Sequence, residues 1–378
     1  MEPATFKIDE MVPLVDLNEP AGATVAAMVT SSTISADEVA LYDRQIRLWG
    51  MEAQERMRNA NVLIITMRAL ANEVAKNLVL AGIGSLTVLD SEDVVEDDLG
   101  AQFFVSEEHV GINRAIAAVP TIQKLNPRVR VYADAGKLHD KPTEYFNDFD
   151  IVIATELGFN DMHLINEATR KWGIRFYAAA TYGLYGFVFA DLIRHQFVLK
   201  RVKANKLTQC GKETRTRSVV STTETKEGAT DYEFVTKEEI YCTLSEAVAS
   251  RLEKSWRPKK RHQVGSVLPG ILGLWKFQQE FGRLPESTKE DYKQFTKLMI
   301  ETGQALEMPQ ELVRADFIRQ FVGNVSAELS PVAAVLGGIL AQDAINVLGK
   351  MEQPIQNLLL FDGDTSEAPI IVLAPQED

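Results

Sequence analysis

Residues 61–66 read Asn-Val-Leu-Ile-Ile-Thr, an unbroken apolar run too short for a helix and lacking the alternation of a half-exposed strand. Such a run marks a strand buried on both faces, as in parallel sheets covered by helices. The pattern then repeats. Residues 73–80 carry apolar side chains at helical spacing (Val74, Leu78, then Ala81), and 86–89 form a second apolar run ending at Asp90. The spacing predicts a helix over 115–125 that stops before Asn126-Pro127, because the residue before proline is pushed out of the helical region. Strands follow at 129–133, 151–154 and 174–179, with a helix at 163–172 ended by Gly173. Strand and helix alternating at this spacing predict an α/β, Rossmann-like, doubly wound and mainly parallel sheet with helices on both faces.

Upstream, Ser35 and Glu38 fit a capping box, in which hydroxyl and carboxylate satisfy orphan backbone donors. A short amphipathic helix follows and ends at Gly50, with another over 51–58. Downstream, 185–191 and 196–202 alternate like antiparallel strands. The stretch 203–230 is rich in Thr, Lys and Glu and reads as an exposed loop; 236–322 reads as mainly helical, with Trp256 and Trp275 as core anchors. The α/β texture returns at 330–348, an apolar helix with Pro331 in its first turn and Gly337-Gly338 placed for close approach to another backbone. Residues 358–361 and 370–373 read as closing strands. The expected organisation is a flexible extension over 1–34, one α/β domain built from 35–202 plus 326–378, and an insertion over 203–325 that is a polar loop and then largely helical.

Of 378 residues, 46% are hydrophobic and 25% charged, enough to bury a sizeable core. Lys plus Arg is 40 and Asp plus Glu is 53, so the formal net charge is 40 − 53 = −13. That balance argues against nucleic acid as a partner of the surface as a whole. The two cysteines, Cys210 and Cys242, make neither a disulfide framework nor a four-cysteine zinc site, and fit a reducing compartment. Neither has a neighbouring histidine to lower its pKa, so neither reads as catalytic. The five histidines show no metal-ligand spacing. The N-terminus lacks the features of a secretory signal, and the apolar stretch 330–342 reads as too short to cross a membrane. The expectation is a protein of the cytosol or nucleus, with no membrane partner. The basic island Arg257-Pro258-Lys259-Lys260-Arg261 reads equally as a nuclear-import signal and as a solvated loop.

A strand–turn–helix opening of this kind usually holds a nucleotide, and its turn needs glycines for tightness and for close approach of the phosphates. Here the turn is Thr66-Met67-Arg68-Ala69-Leu70-Ala71. Side chains at 66, 68 and 71 fill the space the phosphates need, so a dehydrogenase is a poor reading. Asp90, placed where a ribose-binding acid would sit, reads instead as a strand-end acid.

The segment Tyr42-Asp43-Arg44-Gln45-Ile46-Arg47-Leu48-Trp49-Gly50, with Val62–Asn77, Leu89-Asp90, Gly100-Ala101-Gln102-Phe103 and Gly337-Gly338-Ile339-Leu340-Ala341-Gln342, resembles the activating enzymes of ubiquitin-like proteins. The resemblance spans about 35–202 and 325–375 and is greatest to the small-subunit type of SUMO-activating enzyme. It implies a pair of adenylation folds, one binding ATP, Mg²⁺ and the modifier's C-terminal glycine, the other degenerate. This chain matches the degenerate half. The family's three glycines fall on Thr66, Arg68 and Ala71, its asparagine on Asp98, its arginine on Ala101, its lysine on Arg114 and its Mg²⁺ aspartate on Glu156. An anionic Asp98 would also repel phosphate. The resemblance therefore implies no cofactor or metal on this chain. ATP and Mg²⁺ belong to a larger catalytic subunit, the partner in an obligate heterodimer, which also makes the main contacts to SUMO and carries the thioester cysteine. It further implies that Arg44 reaches in trans into the partner's ATP site as an arginine finger, and that the protein is found in the nucleus and cytoplasm. From the residues alone Arg44 reads as a surface arginine paired with Asp43 or Glu52, Arg47 as a salt-bridge residue and Trp49 as a packing anchor. The helix 330–348 is the expected contributor to the subunit interface. Two rivals are a homodimeric adenylating enzyme of the sulfur-carrier type, which would need the missing glycines, and a non-enzymatic Rossmann-like scaffold, which would not explain the Tyr42–Gln45 motif.

Overall fold

A computed structural model describes residues 35–204, 208–228, 230–252, 256 and 264–375. The expected extension 1–34 and the basic island 257–261 lie outside the described residues. Three short helices come first among the described residues: α1 (Ala36–Leu41), α2 (Asp43–Trp49) and α3 (Met51–Asn59). The capping box forms as expected, with the Glu38 amide donating to Ser35 Oγ at 3.3 Å and the Ser35 amide to Glu38 Oε2 at 3.0 Å. Gly50 closes α2 at φ +87°.

The sheet is then laid down by β1 (Asn61–Ile65), α4 (Ala69–Ala81), β2 (Ser85–Leu89), α5 (Arg114–Leu125), β3 (Arg130–Asp134), β4 (Ile151–Thr155), α6 (Phe159–Lys171), β5 (Arg175–Tyr182) and β6 (Tyr185–Asp191). With the late strands β11 (Leu358–Asp362) and β12 (Ile370–Ile371) it has eight strands in the order β12-β11-β6-β5-β4-β1-β2-β3. The five strands from β5 to β3 run parallel, and β6, β11 and β12 are antiparallel additions. Both faces are buried, as the apolar runs require. Leu63 and Ile65 point into one core with Phe176 and Phe187, while Val62 and Ile64 point into the other with Met57, Val74 and Leu340.

The insertion differs from expectation in its first part. The polar stretch 203–230 is largely sheet. With β7 (Arg194–Val202), strands β8 (Gly211–Lys212), β9 (Arg217–Glu227) and β10 (Thr230–Ile240) form a second sheet, ordered β7-β10-β9-β8. Its polar residues pair across strands. Arg201 meets Glu233 at 3.0 Å, Arg217 meets Glu239 at 2.6 Å and Lys237 meets Glu213 at 2.7 Å. Charge that reads as loop is here the sheet's own cross-strand pairing. The helices that follow, α7 (Leu244–Ala249), α8 (Val267–Phe281), α9 (Lys289–Ala305) and α10 (Ala315–Gly323), do not stand apart. Trp275, Phe317 and Phe321 enter the core of Phe176 and Phe187, with Trp275 and Phe187 ring centroids 5.2 Å apart. Trp256 and Trp275 are both buried anchors, as expected.

Helix α11 (Ser330–Gly349) has 20 residues, long and apolar enough to cross a membrane by length and composition, contrary to the reading of 330–342. Two-thirds of it is buried in the domain, and Asp343 within it accepts hydrogen bonds from Tyr177 Oη (2.6 Å) and the Ile355 amide (2.8 Å), so it is a core helix. Only a stripe including Pro331, Ala334 and Val335 remains exposed for an interface. Its glycines differ in purpose. A Cβ on Gly337 would lie 2.5 Å from Glu73 Cβ and 3.2 Å from Leu70 O on α4, whereas one on Gly338 would meet nothing within 4 Å. Gly337→Ala is expected to lose about 1–3 kcal/mol through overpacking, and Gly338→Ala to gain up to about 1 kcal/mol of helix propensity. Urea denaturation of the two variants checks the contrast.

Candidate functional site

The strand β1 hands the chain to a turn at the C-terminal end of the sheet, and α4 begins there. The turn keeps the shape that glycine usually supplies. Thr66 sits at φ +70°, in the left-handed region, and its amide donates to Leu89 O at 2.9 Å. For a β-branched residue that conformation costs about 1–2 kcal/mol. The Met67 amide donates to Asp90 Oδ2 at 2.7 Å, and Thr155 Oγ1 donates to Thr66 O at 2.7 Å. Ala71 is fully buried, so its methyl is part of the core. Arg68 caps α4 without a side-chain hydrogen bond. Its Nε lies 3.0 Å from Glu328 Oε1, and the same oxygen accepts the Ala69 amide at 3.3 Å.

Beside the turn lies a buried ionic network. Arg114 Nη1 donates to Asp90 Oδ2 at 2.7 Å and Arg114 Nε to Asp98 Oδ2 at 3.2 Å. Asp98 also accepts from the Val95 amide (3.0 Å) and from Gln102 Nε2 (2.6 Å). Burial alone would lower the pKa of Arg114, but Asp90 and Asp98 outweigh it and hold the guanidinium above its ordinary range. Asp90 is thus the strand-end acid expected. Asp98 differs from expectation, because Arg114 compensates its charge and it presents no bare carboxylate to a phosphate. Ala101 adds no polar group. Glu156, at φ +56° after β4, accepts from the Thr181 amide (3.0 Å) and Thr181 Oγ1 (2.8 Å). Burial, with repulsion from Glu328, pushes its pKa up to about 8 against the pull of the Thr181 bonds and Arg68. A nucleotide with its Mg²⁺ does not fit this turn. Side chains stand at all three positions where the family has glycine, Glu328 holds the helix end, and Glu156, where the resemblance puts the metal aspartate, has its pKa raised to about 8 by burial. Glu328 lies about 260 residues from the turn in sequence, and no local motif marks it.

Arg44 sits elsewhere. Helix α4 starts at the degenerate turn and ends at Gly82, and its 13 residues span about 18 Å. At that far end Tyr42 packs over Gly82, where a Cβ would lie 2.5 Å from Tyr42 Oη, and Tyr42 Oη accepts from Asn126 Nδ2 at 2.7 Å. Ile46 is buried with Val39 and Tyr42. Trp49 is a packing anchor, its Nε1 donating to Gln54 Oε1 at 3.2 Å. These contacts fix α2 and leave Arg44 exposed. The two carboxylates expected to pair with it are engaged elsewhere. Asp43 holds Arg47 at 3.0 Å and Glu52 holds Arg56 at 3.4 Å. Among the described residues Arg44 forms no ion pair or hydrogen bond through its side chain. The structure does not bring Arg44 together with Thr66, Arg68 and Ala71.

Cys242 follows β10 in an extended segment rather than in a helix. It is buried, its Sγ donates to Leu373 O at 3.2 Å, and burial pushes its thiol up to about 12, far from a nucleophile's range. Cys210 is exposed ahead of β8.

The raised pKa of Glu156 has a measurable consequence. The folded chain binds that proton more tightly than the unfolded chain, so its contribution to stability falls as pH rises from about 4.5 to about 8. Glu156→Gln is expected to remove that slope and to exceed the parent by about 1 kcal/mol or more at the alkaline end. Thermal denaturation across this pH range, parent against variant, checks it.

Comparison with known proteins agrees with this architecture. Residues 42–377 match the ThiF family. The chain is 38% identical over 341 residues to the DNA damage tolerance protein RHC31 of Saccharomyces cerevisiae, covering 89% of this chain and 97% of that protein. It is 36% identical over 337 residues to DNA damage tolerance protein rad31 of Schizosaccharomyces pombe, covering 89% and 97%. It is 35% identical over 352 residues to SUMO-activating enzyme subunit 1 of Homo sapiens, covering 91% and 97%. With the doubly wound sheet, the strand–turn–helix opening and a match over nearly all of its described length, the chain belongs to the ThiF family.

Proposed function

We propose that this chain is the small subunit of a heterodimeric SUMO-activating enzyme and that it is catalytically incomplete alone. The observation that carries this reading is the separation of two features. The turn that should hold a nucleotide carries side chains in place of glycine and is met by Glu328, while Arg44 is exposed and uncommitted near the other end of α4, a helix about 18 Å long. A side chain placed there does not serve its own turn, and an exposed, unpaired guanidinium is available to another subunit's site. The names and coverage of the relatives support the choice of reaction.

In the proposed complex the larger subunit binds ATP, Mg²⁺ and the main surface of SUMO. It also carries the cysteine that accepts SUMO as a thioester. This chain contributes Arg44 and half of the interface, in which the exposed stripe of α11 and Leu48, 75% exposed on α2, are apolar elements left for a partner. The chemistry of Arg44 follows from charge. As the SUMO carboxylate attacks the α-phosphorus and pyrophosphate leaves, negative charge builds on the phosphates, and a planar guanidinium meets two oxygens at once. The nucleus and cytoplasm are the proposed locations, with the Arg257–Arg261 island as the import feature.

Arg44→Ala is expected to leave heterodimer formation intact and to slow ATP–pyrophosphate exchange by about 10²–10³-fold, with Arg44→Lys restoring only part of the rate. Exchange at the parental rate in a properly assembled Arg44→Ala enzyme would remove the assignment.

A further inference from the structure

The degenerate turn has lost its glycines but not its demand for negative charge. Helix α4 has 13 residues, and its first amides face outward at the positive end of the helix dipole. The N-cap residue, Arg68, adds a cation and contributes no side-chain acceptor. In a strand–turn–helix unit this combination is where an anion settles. Here a carboxylate from a distant part of the chain settles instead. Glu328 Oε1 lies 3.3 Å from the Ala69 amide and 3.0 Å from Arg68 Nε, and Glu328 Oε2 accepts from Gln102 Nε2 at 3.2 Å. Gln102 is 2% exposed, and its Nε2 donates to Asp98 Oδ1 at 2.6 Å as well as to Glu328 Oε2, so the wall of this site is an amide donor kept out of water.

Glu328 belongs to the link between α10, which ends at Gly323, and α11, which starts at Ser330. That link is pinned at its other side by the β5–β6 turn. The Gly183 amide donates to Ala327 O at 3.1 Å, and Gly183 has no side chain because Asn324 lies over it, 2.6 Å from where its Cβ would be. The link is therefore held at two points at the C-terminal end of the sheet, one a backbone bond and the other the Glu328 carboxylate.

We propose that Glu328 is a built-in anion that takes the place of a nucleotide phosphate at the start of α4, tying the 324–329 link to the turn and making this half of the fold independent of nucleotide. The consequence is a site that reads as an oxyanion site when its own carboxylate is removed. The inference concerns the filled turn alone and stands whether or not SUMO or Arg44 is correctly assigned above.

The test uses the full chain and inorganic phosphate as the probe, titrated against chloride at matched ionic strength while thermal unfolding is followed. Glu328→Ala is expected to melt several degrees below the parent and to regain most of that loss in a saturable phosphate response. The parent shows only the chloride-like response. Adding Arg68→Ala to Glu328→Ala removes the rescue. Glu328→Gln, which keeps the bulk and loses the charge, is expected to melt below the parent and to respond weakly, and it carries the test if Glu328→Ala folds only in phosphate, itself a supporting result. A Glu328→Ala chain as stable as the parent, equal phosphate shifts in both, or a non-saturating shift that marks an adventitious ion only would overturn the proposal.

Discussion

Helix α4 sets the geometry on which the rest depends. One flank lies on the sheet, and Gly337 lets α11 cross the other so closely that even a methyl group would collide with Glu73. Packed on both sides, α4 sets its two ends about 18 Å apart. At the N-terminal end lies the turn with Thr66 and Arg68. At the C-terminal end Gly82 leaves room for Tyr42, and Tyr42 in turn positions α2 and Arg44. The helix places these two groups on opposite ends of one domain.

The chemistry at the turn follows from how buried charge is compensated. Among the described residues Asp90, Asp98 and Glu328 form ion pairs with Arg68 and Arg114 alone, three carboxylates against two guanidiniums. Glu156, a fourth carboxyl close by, responds by keeping its proton. A triphosphate would add several negative charges to a pocket already in excess. Restoring glycine at 66, 68 and 71 would open space without reversing that balance. Buried ion pairs are weak evidence for net stability, but losing one partner is costly because the other is left uncompensated. The network is therefore easier to keep than to dismantle piecemeal, which accounts for the polar interior beside the turn.

Much of this was legible in the amino-acid order, where local physics decided the outcome. The apolar runs at Val62–Ile65 and Ile151–Ala154 are buried strands because nothing but a helix-covered sheet accepts them. Ser35 and Glu38 cap a helix because their spacing satisfies two backbone donors. What escaped involved distance or pairing. Glu328 enters the turn from about 260 residues away, and only the packing of α11 brings it there. Strands β8 to β10 were hidden because Glu233, Lys237 and Glu239 are nearly fully buried yet paired across the sheet, so their charge mimics a solvated loop. The abundance of β-branched threonine in β9 was the available signal and was outweighed by charge. Asp98 was read as repulsive because its partner Arg114, in the next helix, was weighed separately as a lost lysine.

Under the proposed function, the same division explains why a subunit without a working site is retained. An arginine held on the subunit that binds ATP would stabilise bound nucleotide at all times. Held on a second chain, its guanidinium is present only after assembly, and the reaction becomes conditional on the pair. For that to work the helix that carries the donor must be fixed before it meets its partner, so that only the side-chain rotamers of the arginine remain to be ordered. Tyr42, Ile46 and Trp49 anchor α2 from three directions, and Asp43 and Glu52 are engaged by Arg47 and Arg56, so Arg44 is not drawn back onto its own surface. The neighbours of Arg44 thus matter as much as the arginine itself, since each removes a contact that would otherwise compete with the partner.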